Sequence, residues 1–146
     1  MAYSTGEAAI LTLIQALSAY DADNATRQDW KPLNRGKAAV YVILKPGAWT
    51  TERISPTGYH DYYSTIIEVW RRYVDDTRPA LLQDNVDDIV VQIRKYPTLN
   101  GASGVQGSDI AGGSEMEEVE LNSGSLWARW NINVEWIDES AVTYAE

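Results

Sequence analysis

The sequence predicts an α+β fold: a mostly antiparallel β-sheet packed against two α-helices, with a protruding β-hairpin or long loop. Three observations carry that expectation. Across residues 126–136, Leu126, Ala128, Trp130, Ile132, Val134 and Trp136 share one parity, and Trp127, Arg129, Asn131, Asn133 and Glu135 share the other. Successive side chains of a strand point to opposite faces, so this is a long strand with one apolar and one polar face. Such a strand needs a sheet around it and a layer of helices over its apolar side. Residues 39–44 are continuously apolar and β-rich, as in a strand covered on both faces. Two further stretches, from Ile10 and from Leu82, repeat apolar residues at helical spacing.

In chain order, Ser4-Thr5-Gly6-Glu7 has the form of a capping box, Ser4 capping and Glu7 reaching back. Ile10, Leu13, Ile14, Leu17 and Tyr20 then define an amphipathic helix to about Tyr20, ended by residues 21–24. Residues 25–37 are polar, with Trp30 and Leu33 as anchors and Asn34-Arg35-Gly36 as a turn. Lys45-Pro46-Gly47 is expected to stop the first strand, and 49–54 to be its return strand, closed by Ser55-Pro56-Thr57-Gly58. That hairpin would expose Trp49, Arg53, Tyr59 and His60. Residues 62–74 fit either a helix or a strand; Thr65, Ile66, Ile67 and Val69 are β-branched, which favours strand. Asp76 or Thr77 would cap the second helix, with Pro79 in its first turn and Leu82, Val86, Ile89, Ile93 and Tyr96 along one face. A Gly-rich connector with a short strand at 105–110 follows. A strand at 117–121 then turns through Asn122-Ser123-Gly124 into the long strand. After Ile137 the pattern is lost, and 138–146 reads as a flexible C-terminal tail.

At 146 residues the chain is read as one domain, 1–146, large enough for a core. The absence of cysteine excludes disulfides, thiolate nucleophiles and cysteine metal sites. A single histidine, His60, argues against a histidine-rich metal centre. The net charge of −9 disfavours adhesion to nucleic acid, yet an acidic wall allows DNA to pass close without sticking. Six tryptophans and nine tyrosines with no phenylalanine suit protein interfaces as well as cores. No signal peptide is evident and no apolar run is long enough to span a bilayer, which predicts a soluble chain made in the cytosol, with no membrane partner.

Catalytic motifs are sparse. Gly101, Gly104 and Gly107 lack the spacing and the following residues of a phosphate loop, so a connector is the better reading. The adjacent carboxylates Asp75-Asp76, Asp87-Asp88 and Glu117-Glu118 diverge on any regular element, which favours solvated faces over a catalytic dyad. A triad would have to use His60, and no nucleophile elbow presents a serine to it. Tyr59, Tyr62 and Tyr63 could stack bases, but an acidic chain without a basic groove favours core or protein contact. Glu115, Glu117, Glu118 and Glu120 form the densest acidic run, read either as a guarded strand edge or as the wall of a pore.

From about Ala38 to Trp136, the segments VILKPGAWTTER, IIEVWRRYVDDTRPAL, IRKYPTLNGASGV, IAGGSE and LWARWNINVEW, in that order, resemble tail terminator (tail completion) proteins of long-tailed bacteriophages. Lys95-Tyr96-Pro97 leaving the second helix, the Gly112-Gly113-Ser114-Glu115 turn and the strand 127–136 are the most telling pieces. None is a catalytic signature. The resemblance implies a non-enzymatic α+β virion protein without cofactors, made in the host cytoplasm. It would form a six-membered ring on the last ring of the tail tube, stop tube growth and offer the surface onto which the DNA-filled head docks. Its partners would be further copies of itself, the tail tube protein and the neck or head–tail connector proteins. Viral DNA would pass through the lumen without specific binding. A ring needs a heterologous interface. The expected contributors are Trp49, Arg53, Tyr59 and His60 on the hairpin, with Trp127 and Arg129 on the polar-parity face. Glu115, Glu117, Glu118 and Glu120 would line the lumen. The alternatives are another neck or head–tail connector protein, a small carboxylate-dependent hydrolase or carbohydrate-binding domain, and a partner-binding module of cellular origin.

Overall fold

Two long strands, β3 (Gly58–Arg72) and β6 (Leu126–Ala141), pair antiparallel over fifteen registered positions, from Gly58 against Ala141 to Arg72 against Trp127. In this computed structural model the described residues are 2–36, 38–72, 78–121 and 124–141. Before β3 come α1 (Ala2–Gln15), β1 (Ala25–Arg27), the single helical turn α2 (Pro32–Arg35) and β2 (Val40–Arg53). Between β3 and β6 come α3 (Arg78–Arg94), β4 (Val105–Gly113) and β5 (Glu117–Glu120). The sheet runs β1-β2-β3-β6-β4, with β5 sharing the outer edge of β6 beside β4. Only β1 and β2 are parallel, so the mostly antiparallel α+β fold is what forms, with 105–113 and 117–120 as strands and 58–72 settled as strand.

The helices α1 and α3 lie on one face of the sheet. Ile10, Leu13 and Ile14 from α1 and Leu82, Ile89 and Ile93 from α3 meet Val42, Leu44, Ile67, Val69, Ala128, Ile132, Val134 and Trp136. Each of these strand residues falls on the same parity as its cross-strand neighbours, so one face of the sheet becomes one core. Gly6 explains how α1 comes so close: a Cβ there would stand 2.3 Å from the Trp136 indole. The Gln92 side-chain amide donates to the Leu13 carbonyl (2.9 Å) and ties α3 to the end of α1.

The opposite face carries a second, smaller core. Leu33 of α2 covers Tyr41, Ile43, Trp70 and Trp127, with Ala38, Val119 and Leu121 at its rim. Burial on both sides accounts for the unbroken apolar run at the start of β2. It also corrects the reading of β6. Trp127, assigned by parity to a polar interface, is 0% exposed because α2 and β5 close over it.

Other expectations change with the structure. The helix starts before Ser4, and Glu7 does not reach back to cap it. Instead Glu7 is fully buried, receiving the Arg27 guanidinium (2.7 Å), the Gln28 amide (3.3 Å) and the Tyr3 hydroxyl. The helix ends at Gln15, although Tyr20 still reaches the core. Lys45-Pro46-Gly47 does not stop β2, and 49–53 is its continuation instead of a return strand, with Ile54 already in the turn. The strand β1 pairs only with Val42 to Leu44, so beyond Lys45 strand β2 is an edge where a proline without N–H is tolerated. One extra residue between Pro46 and Trp49 is taken up as a bulge, and Gly47 lets the chain pass the Ser64 side chain. Residues 138–141, expected in a flexible tail, complete β6. The apolar pattern is lost there because Asp138 and Ser140 take the helix-side parity while Ile137 takes the other. The capping residues Asp76 and Thr77, residues 73–74, the turn residues Asn122 and Ser123, and the last five residues of the chain lie outside the described residues. No helix among the described residues is long and apolar enough to cross a membrane.

Candidate assembly surface

Beyond the bulge, β2 and β3 continue as an arm, from Trp49 opposite Tyr63 to Arg53 opposite Tyr59, and β6 stays paired with β3 along all of it, from Trp136 to Ala141. A hairpin with an exposed turn forms here, but not the one expected: its strands are β2 and β3 instead of 39–44 and 49–54, and β6 flanks it on the other side of β3. Its tip is closed by the amides of Ile54 and Ser55 donating to the Gly58 carbonyl at 2.9 and 3.3 Å. The Arg53 guanidinium donates to the carbonyls of Ser55 (3.2 Å) and Pro56 (2.6 Å) and lies 5.9 Å from the Tyr59 ring centroid. Arg53 and Tyr59 thus hold the turn together as well as facing outward. His60 is half-buried, edge-on to Tyr62 at 6.3 Å, with Glu52 and Glu139 as its cross-strand neighbours. Among the described residues Trp49 is the most exposed large apolar side chain at 64%, with its ring 6.4 Å from that of Tyr63. Of the six residues assigned to an interface, four gather on this arm; Arg129 lies at the other end of the sheet and Trp127 is inside it.

The acidic run does not form a single wall. Glu117 pairs with Arg129 across the strands and bonds to its guanidinium, which in turn lies 5.1 Å from the Trp70 ring centroid. Strand alternation sends Glu118 and Glu120 to the opposite face from Glu117 and Val119, and Glu115 precedes the strand. All four glutamates are exposed.

A groove of about 650 Å³ crosses the middle of the sheet, lined by residues 48–50, 62–64, 107–109 and 135–137. Thr50, Tyr62, Ser64, Glu135 and Ile137 share the parity that faces away from α1 and α3, so the groove lies on the face those helices leave open. Asp109 and Glu135 oppose each other in register at one side of it. The Asp109 carboxylate also accepts from the Ile110 amide (2.7 Å). Glu52 accepts from the Tyr62 hydroxyl (3.1 Å) at the arm end of the same face. The sequence signal for this acidic face was present in the parity of β6 and β2, and Asp109 lies in the short strand expected at 105–110, whose partner the sequence did not name.

On the helix side of the arm a second acidic pair appears. Asp61 and Asp138 oppose each other in register. Asp61 accepts from the hydroxyls of Thr51 (2.7 Å) and Ser140 (2.9 Å). Asp138 is only 5% exposed; burial and then the neighbouring Asp61 hold its carboxyl above the usual range. At the other end of β3, Glu68 is buried with the Lys45 ammonium at 2.7 Å and the Trp30 and Trp70 indole N–H groups at 2.8 and 3.1 Å. Burial pushes its carboxyl up, but those three donors outweigh it, and the net shift is downward. Among the described residues, no group of three or more histidine, cysteine, aspartate or glutamate side chains is arranged to hold a metal.

No protein family and no curated protein matches this sequence. One solved structure aligns over 99% of this chain and 95% of its own, at 13% identity and a TM-score of 0.43, too distant a likeness to carry an argument.

Proposed function

We propose that the chain is a structural subunit of a bacteriophage virion: a tail terminator that forms a homo-oligomeric ring, hexameric by family resemblance, on the end of the tail tube. In that role it ends tube polymerisation and offers the neck proteins a docking surface, while viral DNA crosses the ring without specific binding. One observation carries the proposal. The five segments that resemble tail terminators fall on β2, on β3 leading into α3, on α3 leading into β4, on β4 leading out to β5, and on β6. In space these are neighbouring strands of one sheet together with the helix that covers it, so the resemblance describes a contiguous body and not scattered matches. The arm with its exposed Trp49 supports the reading as an apolar contact point at the surface. The net charge of −9 suits a ring through which DNA must slide.

The test is tube growth. Purified chain added to polymerising tail tubes should cap them, seen by electron microscopy as shorter tubes with density at one end. Trp49→Ala should weaken capping about tenfold or more, the range of a contact residue worth 1–2 kcal/mol, while leaving the melting temperature nearly unchanged. Tubes that grow to the same length with and without the chain would overturn the proposal. A second reading, a carboxylate-dependent hydrolase or carbohydrate-binding domain, draws on the groove with Asp109 opposite Glu135. A general acid, however, needs a carboxyl kept protonated by apolar surroundings, and both of these side chains are exposed. Oligosaccharide binding lost in Asp109→Asn with Glu135→Gln would favour that reading.

A further inference from the structure

The face of the sheet that α1 and α3 leave open is electrically bipolar. Its arm end, around the groove, carries Glu52, Asp109, Glu135 and Glu139, with no lysine or arginine among the described residues. Its other end carries Lys45, Arg72 and Arg129, only partly offset by Glu68 and Glu117. The α2 turn is seated on that end by Leu33 and follows Lys31 directly; in the sequence Arg35 and Lys37 come next, and Asp29 is the acid that precedes them. From Trp30 to Thr51 the sequence holds four basic residues and no acidic one, whereas residues 101–146 hold one basic residue and nine acidic ones. The two patches are separated along β2 by the distance from Ile43 to Thr50, roughly 20 Å of extended chain. They also differ in shape: α2 stands out from the sheet, and the groove is concave.

We infer that the acidic groove receives the basic α2 segment of a second copy of this chain. Groove against groove would bring eight carboxylates together, and α2 against α2 would oppose lysines and arginines; either repels. Only groove against α2 joins opposite charges and fits a projecting turn into a hollow. Trp30, partly exposed at the start of the segment, and Tyr62 and Ile137 in the groove supply the apolar centre that such a contact needs. The sheet edges are poor alternatives. Strand β2 has Pro46 and a bulge on its open edge, and β4 has irregularities at Val105/Gly107 and Ile110/Gly112, so strand addition is hindered at both. This inference names the contact between copies and stands apart from their number: repeated in one direction the contact closes a ring, and made reciprocally across a two-fold axis it closes a dimer.

Sedimentation velocity and native mass spectrometry of the full chain test it, with two charge-reversed variants, Lys31→Glu with Arg35→Glu and Asp109→Lys with Glu135→Lys. Lys31, Asp109 and Glu135 are exposed, and thermal melts verify that each variant folds. The wild type should self-associate more tightly at low than at high salt, since surface charges are screened beyond about 8–10 Å at 0.1–0.15 M. Each variant alone should lose at least about tenfold in association, and an equimolar mixture of the two should recover most of it, because the reversed charges again meet opposites. A wild type that stays monomeric at every concentration overturns the inference, as does association indifferent to both reversals or a mixture that recovers nothing. A ring that forms but ignores the reversals leaves the terminator proposal standing without this contact. Association by this contact that stops at two copies does the reverse.

Discussion

Strands β2 and β3 lie side by side for their whole length, yet the two halves of that ladder are built differently. In the body half, Val42, Leu44, Ile67 and Val69 are buried under α1 and α3, while Tyr41, Ile43, Glu68 and Trp70 are buried on the other face under α2. In the arm half, Thr50 to Arg53 are exposed and Tyr59 to Tyr62 only half-covered, linked by side-chain hydrogen bonds such as Thr51 to Asp61 and Tyr62 to Glu52. Register in the body is fixed because a slip of one residue would exchange two covered faces. In the arm it is inherited from the body and kept by the turn and by the continued pairing of β3 with β6. Stability therefore belongs to one half and contact surface to the other, and a recognition element can vary without unfolding the chain.

The largest effect that probes this contrast is a truncation in the body set against one in the arm. Ile67→Ala removes a fully buried side chain between the helices and the sheet, and should cost about 2–5 kcal/mol in urea denaturation. Thr50→Ala, on the same ladder past the bulge, should stay within about 0.5 kcal/mol. Similar losses at the two positions would break the division.

How much of this was legible without coordinates depends on how many faces a residue has to satisfy. The alternation in 126–136 shows β6 and most of its helix-side core, since Ala128, Ile132, Val134 and Trp136 lie buried there and Trp130 packs partly against them, whereas Leu126 is 49% exposed at the start of the strand. Parity could not reveal that the other face is also covered at one end. The cover is a four-residue helix and a four-residue strand, too short for any periodicity, and Trp127 was misread for that reason. Glu7 was misread because the local pattern of a capping box is indifferent to Arg27, twenty residues away, which claims the carboxylate. Lys45-Pro46-Gly47 has every mark of a turn, and it continues as strand only because it lies on an edge opposite Ser64. The arm residues Trp49, Arg53, Tyr59 and His60 were found as a group because they cluster in sequence. The groove was missed because its lining comes in short pieces from four strands.

A smaller effect separates the two ends of β3 by charge. Glu68 in the body has a lowered carboxyl pKa, so the stability it contributes is present above the unfolded-state value and is lost as pH falls through the folded one. Glu68→Gln keeps the shape but leaves Lys45, itself partly solvated, without its counter-charge. The variant should be less stable by about 1–3 kcal/mol at neutral pH, with the gap to wild type closing as the solution is acidified. Chemical denaturation at pH 7 and pH 4 reads both values. A gap that persists unchanged in acid would show that the charge of Glu68 contributes little there.

Asp138, at the arm end, should behave in the opposite sense. Its carboxyl is raised above its ordinary value of 3.8 by burial and by Asp61 opposite, so ionisation opposes folding there. The sign follows from linkage: the folded state holds the proton more tightly, so stability is greatest below the unfolded-state value and declines as pH rises through the folded one. Asp138→Asn has the same shape without the charge, fits the same space beside Gly104, and removes the repulsion. The melting temperature at pH 7 should rise, by about 2–4 °C for a change near 1 kcal/mol in a domain of this size. Below the unfolded-state value the gain should vanish, because wild-type Asp138 is then neutral too. A drop at pH 7 would instead mean that the Asp138 carboxylate has a stabilising partner when ionised, and the arm would then hold more of the fold than its exposed ladder suggests. A rise confined to neutral pH would fit an arm kept for contact, where a buried like-charge pair is tolerated because the body beneath it carries the stability.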